Sequence, residues 1–135
     1  MPILGFDHGG RRIGVAIVPD DTSFALPLLT IDGTEDEQWQ QLDVLIRKQS
    51  PRSVVIGLPV TMAGTEGDQA KIVRDFGAQF FERYNVPVNY IDERMSSQQA
   101  AAAGATDIDA SSAAIILDSY LAKTGASSVD DLFDL

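Results

Sequence analysis

The residues of this chain best placed to do chemistry are acids at the ends of apolar runs. Asp7 closes the uncharged run Ile3-Leu4-Gly5-Phe6. A carboxylate beside a buried strand is costly unless it is paired, hydrogen-bonded or coordinated to a cation. Asp92-Glu93-Arg94 follows another apolar stretch, Val86 to Ile91, and Asp109 opens the last helical segment. Carboxylates converging on one edge supply the hard oxygen ligands that Mg²⁺ or Mn²⁺ requires. Two such ions about 3.5–4 Å apart activate a water and stabilise the leaving oxygen in phosphodiester cleavage. Each acid also has a structural reading. Asp7 can pair with Arg11, Arg12 or Arg94 or form an aspartate turn with Gly9, the triplet can be a solvated turn, and Asp109 can cap a helix in competition with Asp107. Strand alternation sends Asp92 and Glu93 to opposite faces, so at most one of them joins Asp7.

The pair Gly9-Gly10 followed by Arg11-Arg12 lets a backbone phosphate approach closely, while a plain hairpin turn explains the same glycines. His8 reads as a turn or rim residue rather than a general base. The absence of cysteine excludes disulfides, thiolate zinc sites and cysteine nucleophiles, and a single histidine excludes a multi-histidine metal site. There is no G-x-S-x-G and no GxxxxGK[ST] loop, and glycines 9, 10 and 14 do not match the dinucleotide fingerprint.

The elements that must position these residues follow from hydrophobic period. Residues 3 to 7, 13 to 18 and 24 to 31 read as an antiparallel meander, with Pro27 marking an edge or a bulge. Thr34 with Glu37 forms a capping box for a helix that places Trp39, Leu42, Leu45 and Ile46 on one face and stops at Ser50-Pro51. A strand over 54–58, a glycine-containing loop from Thr61 to Gly67 and a helix from Asp68 to Tyr84 come next, the helix with Val73, Phe76 and Phe80 inward. A strand from Val86 to Ile91, a short helix from Ser96 to Ala103 and a last helix from Asp109 to Lys123, capped by Gly125, complete the chain. This order predicts an α/β fold: a mixed five-stranded sheet, three antiparallel strands plus two parallel, flanked by helices. Right-handed crossovers make the last two strands parallel to the first, which brings Asp7, the Leu58-Pro59 end and Asp92-Glu93 to one edge.

A length of 135 residues with 44% hydrophobic and 22% charged residues suits one globular domain, taken as 1–125, with an acidic tail over 126–135. No apolar run approaches the roughly 18 residues of a membrane span, and the start lacks a basic region ahead of a hydrophobic stretch. A cytoplasmic protein without membrane partners is therefore expected. The net charge of −10 is opposite to the usual footprint of a nucleic-acid binder. The excess acid clusters at Asp20-Asp21, at Asp32 to Glu37 and in the tail, leaving Arg11, Arg12, Lys71, Arg74 and Arg94 free to gather elsewhere.

Four blocks, GFDHGGRRIGVA at 5–16, IGLPVTMAGTEGDQA at 56–70, VNYIDERMSS at 88–97 and IDASSAAIILDSYL at 108–121, resemble those of the YqgF or RuvX family of Holliday junction resolvases. The resemblance spans nearly the whole chain with the motifs in order. It implies an RNase H-like fold and a divalent-metal nuclease acting on branched DNA or on the precursor of 16S ribosomal RNA. By position, Asp7 matches the first-strand aspartate expected to bridge the metals. Glu93 matches the acid of the family's DER block, with Asp92 as the alternative, and Asp109 matches the aspartate opening the last helix. The resemblance thus implies Asp7, Glu93 and Asp109 as catalytic and metal-binding residues, with Gly9, Arg11, Arg12 and Arg94 at the scissile phosphate. The sequence departs from the pattern at His8, at Ala63 and between Arg94 and Asp109, a stretch without lysine or arginine. Binding of a polyanion is then expected to depend on a local basic patch and on bound metal.

The function expected is a metal-dependent endonuclease of structured nucleic acid, and symmetric resolution of a junction calls for a homodimer. One alternative is a non-catalytic RNase H-like module that uses its acidic surface to hold a protein partner. Another is an ATP-binding relative of the actin and sugar-kinase group, suggested by Asp7-x-Gly9 near Gly14. Those enzymes close two such domains around a cleft, and this length supplies one.

Overall fold

In the computed structural model of the chain, the alternating N-terminal pattern becomes three antiparallel strands, β1 (Ile3–Gly9), β2 (Arg12–Val18) and β3 (Leu26–Asp32). After them come α1 (Glu35–Gln49), β4 (Ser53–Leu58), α2 (Asp68–Tyr84), β5 (Val88–Asp92) and α3 (Ile108–Thr124). The structure describes residues 1–60, 64–92 and 108–124. The expected helix from Ser96 to Ala103, the Gly125 cap and the tail over 126–135 lie outside them, as do Ala63, Glu93 and Arg94. Strand order is β3-β2-β1-β4-β5, with β4 parallel to β1 and β5 parallel to β4. This is the mixed sheet that the order of elements predicts. Among the described residues, no helix is long and apolar enough to cross a membrane.

Local chemistry explains most element ends. The Thr34 hydroxyl accepts from the Glu37 N–H at 3.3 Å, and the Glu37 carboxylate accepts from the Thr34 N–H at 2.9 Å, closing the capping box of α1. Ser50 ends α1 in the left-handed region at φ 45°. β1 continues beyond Asp7 because His8 pairs with Ile13 and Gly9 with Arg12. The turn is therefore Gly10-Arg11 rather than Gly9-Gly10, with Gly10 at φ 75° as a tight two-residue hairpin requires. Pro27 sits on the edge strand beside a register shift in which Leu29 faces Val15 and Pro27 faces Ala16, so both the edge and the bulge are present. β5 starts at Val88, after Pro87, which has no N–H to give a ladder.

The sheet has two covered faces. Leu4, Phe6, Ile13, Val15, Val54 and Ile56 pack against α1 and α2 through Leu42, Val73 and Phe80. Ile3, Ala16, Val18 and Val55 pack on the other side against Ala113, Leu117 and Leu121 of α3. Fully buried side chains such as Phe6 and Phe80 each contribute roughly 1.5–3 kcal/mol. Small residues let α3 lie close to the sheet: a Cβ on Gly5 would stand 3.1 Å from the Ala113 carbonyl oxygen and from Leu117 Cβ. The Asp118 carboxylate on α3 accepts from the Ala25 N–H at 2.8 Å and ties the helix to the approach to β3.

Candidate functional site

Alternation along β1 divides its side chains. Leu4, Phe6 and His8 face α1 and α2, whereas Ile3, Gly5 and Asp7 face α3. Asp7 lies directly across from Gly14 of β2. Residues directly opposite in an antiparallel pair project to the same face, so whatever stands over Gly14 is Asp7's neighbour. There the first turn of α3 crosses the sheet, and the carbonyl group of Asp109 fills the place a Gly14 Cβ would take. Two carboxylate-bearing residues distant in sequence thus lie on one face of the sheet. Asp7 is half-buried, while the Asp109 side chain keeps 37% of its surface exposed. Asp109 lies inside the helix, one residue past its start at Ile108, where the N-terminal dipole favours a negative charge.

The hairpin turn brings two guanidinium groups to this edge. Arg12 Nη1 lies 3.8 Å from Asp109 Oδ2, and its Nε lies 3.8 Å from Asp32 Oδ2. Arg11 Nε lies 3.5 Å from the other Asp32 oxygen. These are long contacts between mostly exposed side chains, each worth at most about 1 kcal/mol. They hold the guanidinium groups near the carboxylates without burying them.

The turn is anchored from the far side. Gln38 of α1 is buried and its Nε2 donates to the Gly10 carbonyl at 2.6 Å and to the Gly33 carbonyl at 3.4 Å. The Gly33 N–H donates to the Arg11 carbonyl at 3.2 Å. The apolar-stripe reading of α1 does not include Gln38 because it tracks only hydrophobic residues. Gln38 nevertheless sits four residues before Leu42 on the same helical face, and that spacing marks it as inward-pointing.

Other expected residues are separated from this edge. Asp92 is exposed and pairs in register with Leu58, and alternation groups it with Val88 and Tyr90, which pack toward α1 and α2. It therefore points away from Asp7's face. His8 also faces away: its ring lies 4.6 Å from the Phe76 ring, and burial lowers its pKa below the ordinary histidine value. Its Nδ1 accepts from the Gly10 N–H at 3.4 Å, which fits the rim role. Among the described residues, no three acids or histidines stand close enough together to hold a metal ion. Asp7 and Asp109 are two oxygen donors of the kind a hard divalent cation needs, and Glu93 lies outside the described residues.

A sequence profile described as "RuvX: Holliday junction resolvase" matches residues 1–123. The chain belongs to the RuvX family. A relative from Cupriavidus pinatubonensis, named "Putative pre-16S rRNA nuclease", is 39% identical over 121 residues, covering 87% of this chain and 86% of its own. One from Ralstonia nicotianae, with the same name, is 38% identical over 127 residues, covering 92% and 88%. Among solved structures, Thermus thermophilus RuvC aligns with a TM-score of 0.56 at 15% identity, over 95% of this chain and 99% of that one. RuvC from the same organism in complex with a Holliday junction aligns with a TM-score of 0.55 at 18% identity. At such identities the likeness shows the fold alone, and this RuvX chain has the RNase H-like fold expected from the order of its elements.

Proposed function

We propose that this RuvX protein is a divalent-metal-dependent endonuclease that hydrolyses phosphodiester bonds in structured nucleic acid, either Holliday-junction DNA or the 5′ end of precursor 16S rRNA. The observation that carries this reading is the Asp109 backbone over Gly14, the residue directly across the hairpin from Asp7, with Arg12 beside Asp109. Family membership supports the nuclease chemistry; the family description supplies the Holliday-junction substrate and the names of the relatives supply precursor 16S rRNA.

Asp7 and Asp109 are the residues that would hold Mg²⁺ or Mn²⁺, with Glu93 as the third carboxylate because Asp92 belongs to the opposite face. A divalent ion bound there supplies Lewis-acid polarisation of the phosphate and makes a nucleophile of water at neutral pH. The chain's own groups do the positioning. Arg11 and Arg12 exchange carboxylate partners for non-bridging phosphate oxygens, which suit the bidentate guanidinium, and Arg94 is a further candidate for the same phosphate by its place in the sequence. The turn at Gly10 and Arg11, with open space at Gly10, leaves room for the sugar-phosphate backbone, and Gln38 keeps that turn from shifting under the load. The half-buried Asp7 and the helix dipole at Asp109 keep both carboxylates oriented before substrate arrives.

The test is a parallel cleavage assay on a four-way DNA junction and on precursor 16S rRNA with Mn²⁺, comparing the parent with Asp7→Asn. Cleavage of one substrate that disappears in the variant, with the circular dichroism spectrum retained, supports the reading. Equal rates for both proteins overturn the role of Asp7. Failure to cut either substrate, with a protein partner retained, points to the non-catalytic module that the net charge of −10 would suit.

A further inference from the structure

Behind the hairpin turn, on the face opposite Asp7, α1 and α2 flank a solvent-open cavity of about 440 Å³. This lies within the range of small-molecule sites. One wall is aromatic: Trp39 stacks on Phe76 with ring centroids 5.3 Å apart, and His8 lies against the same Phe76. Gln79 and the carboxylates Glu35 and Asp75 supply the polar part of the lining. Gly10 and Arg11 form the rim shared with the catalytic side of the hairpin. The combination is selective. Two carboxylates repel a phosphate, yet they accept hydrogen bonds from a neutral ring that carries N–H groups, and the aromatic wall favours a flat π-system. A nucleobase has both properties, and its own phosphate would lie outside, at Arg11.

We propose that this cavity takes one unstacked, amino-bearing nucleobase of the substrate, while Arg11 and Arg12 hold the adjoining phosphates across the turn. The proposal rests on the nuclease reading for the identity of the ligand and adds to it a base-binding subsite on the far face of the sheet. The turn between the faces is only two residues wide, so a single strand can cross it with its phosphates on the arginines and one base turned inward. Single strands offer such bases at loops, branch points and ends, where unstacking costs least.

Trp39 is the sole tryptophan of the chain, so its emission reports directly on the cavity. The experiment titrates metal-free protein with a short oligoadenylate and, separately, with an abasic backbone of equal length, following Trp39 fluorescence. The expected result is a saturable change with oligoadenylate and binding weaker by about tenfold or more for the abasic strand. Gln79→Phe, an exposed helical position whose larger ring narrows the cavity, should weaken oligoadenylate binding by a similar factor without lowering the thermal midpoint. Equal affinities for the two strands would mean that only phosphates are gripped, and would overturn the proposal. An absence of Trp39 response to either strand overturns it as well. Because no metal and no cleavage enter this measurement, its failure is separate from failure of the Asp7→Asn cleavage test.

Discussion

The carbonyl group of Asp109 stands over Gly14 in the space that every other residue would fill with its Cβ. The obstructing atoms are backbone, so a side chain at Gly14 cannot be accommodated by a rotamer change. Gly14→Ala should push the start of α3 off the sheet and cost about 1–3 kcal/mol or more, the usual range for overpacking. Urea denaturation measures the loss. The same substitution should depress cleavage beyond what stability explains, because Asp109 moves away from Asp7.

A divalent ion that binds the folded chain and not the unfolded one raises the melting temperature by mass action. Mn²⁺ at a concentration about 100-fold above its dissociation constant should stabilise the parent by roughly 2.7 kcal/mol. Asp7→Asn and Asp109→Asn should each lose most of that increment. Differential scanning fluorimetry with and without EDTA reads the effect independently of activity, and an equal Mn²⁺ shift in all three proteins would count against the carboxylate assignment.

Asp32 occupies both arginines of the hairpin at 3.5 and 3.8 Å. Its replacement, Asp32→Asn, releases Arg11 and Arg12 and removes a negative charge from an acidic chain. Stability should change by less than about 1 kcal/mol, since the pairs are exposed. Affinity for junction DNA should rise severalfold at low salt, with a steeper salt dependence, as more phosphate contacts form. Filter binding at several ionic strengths checks this, and weaker binding by the variant would show that Asp32 orders the arginines rather than competing for them.

Burial lowers the pKa of His8 in the folded chain, against smaller opposing contributions from its backbone hydrogen bond and Glu35. Above about pH 6.5 the imidazole is neutral folded and unfolded, and its contribution to stability is fully present. As pH falls below that value the unfolded chain takes up the proton first, so stability declines until the folded-state pKa is passed. His8→Gln should flatten the slope of unfolding free energy over this window. Urea midpoints at pH 7 and pH 5.5 provide the comparison, and an unchanged slope would place the acid sensitivity elsewhere.

Most of the architecture was legible locally. Thr34 and Glu37 announced the start of α1, Pro27 announced an edge with a bulge, and the apolar runs gave all five strands within a few residues. Errors at the ends had specific causes. Pairing carried β1 two residues beyond Asp7, and the missing N–H of Pro87 delayed β5. The spacing of Gln38 from Leu42 marks its inward direction, but its burial was not legible, because a polar amide is buried only when the fold supplies partners, here the carbonyls of Gly10 and Gly33.

By itself the sequence determined which residues carry the reactive groups: the carboxylates of Asp7 and Asp109, the guanidinium groups of Arg11 and Arg12, and the strands and helix that present them. It did so because period, capping and composition act over a few neighbouring residues. Only the tertiary structure decided that Asp109 lands over Gly14, that Asp92 and His8 point away from Asp7, and that an aromatic cavity lies behind the turn. Those outcomes depend on strand register and on the closeness with which α3 packs on small residues, contacts between distant segments that leave no local pattern to read.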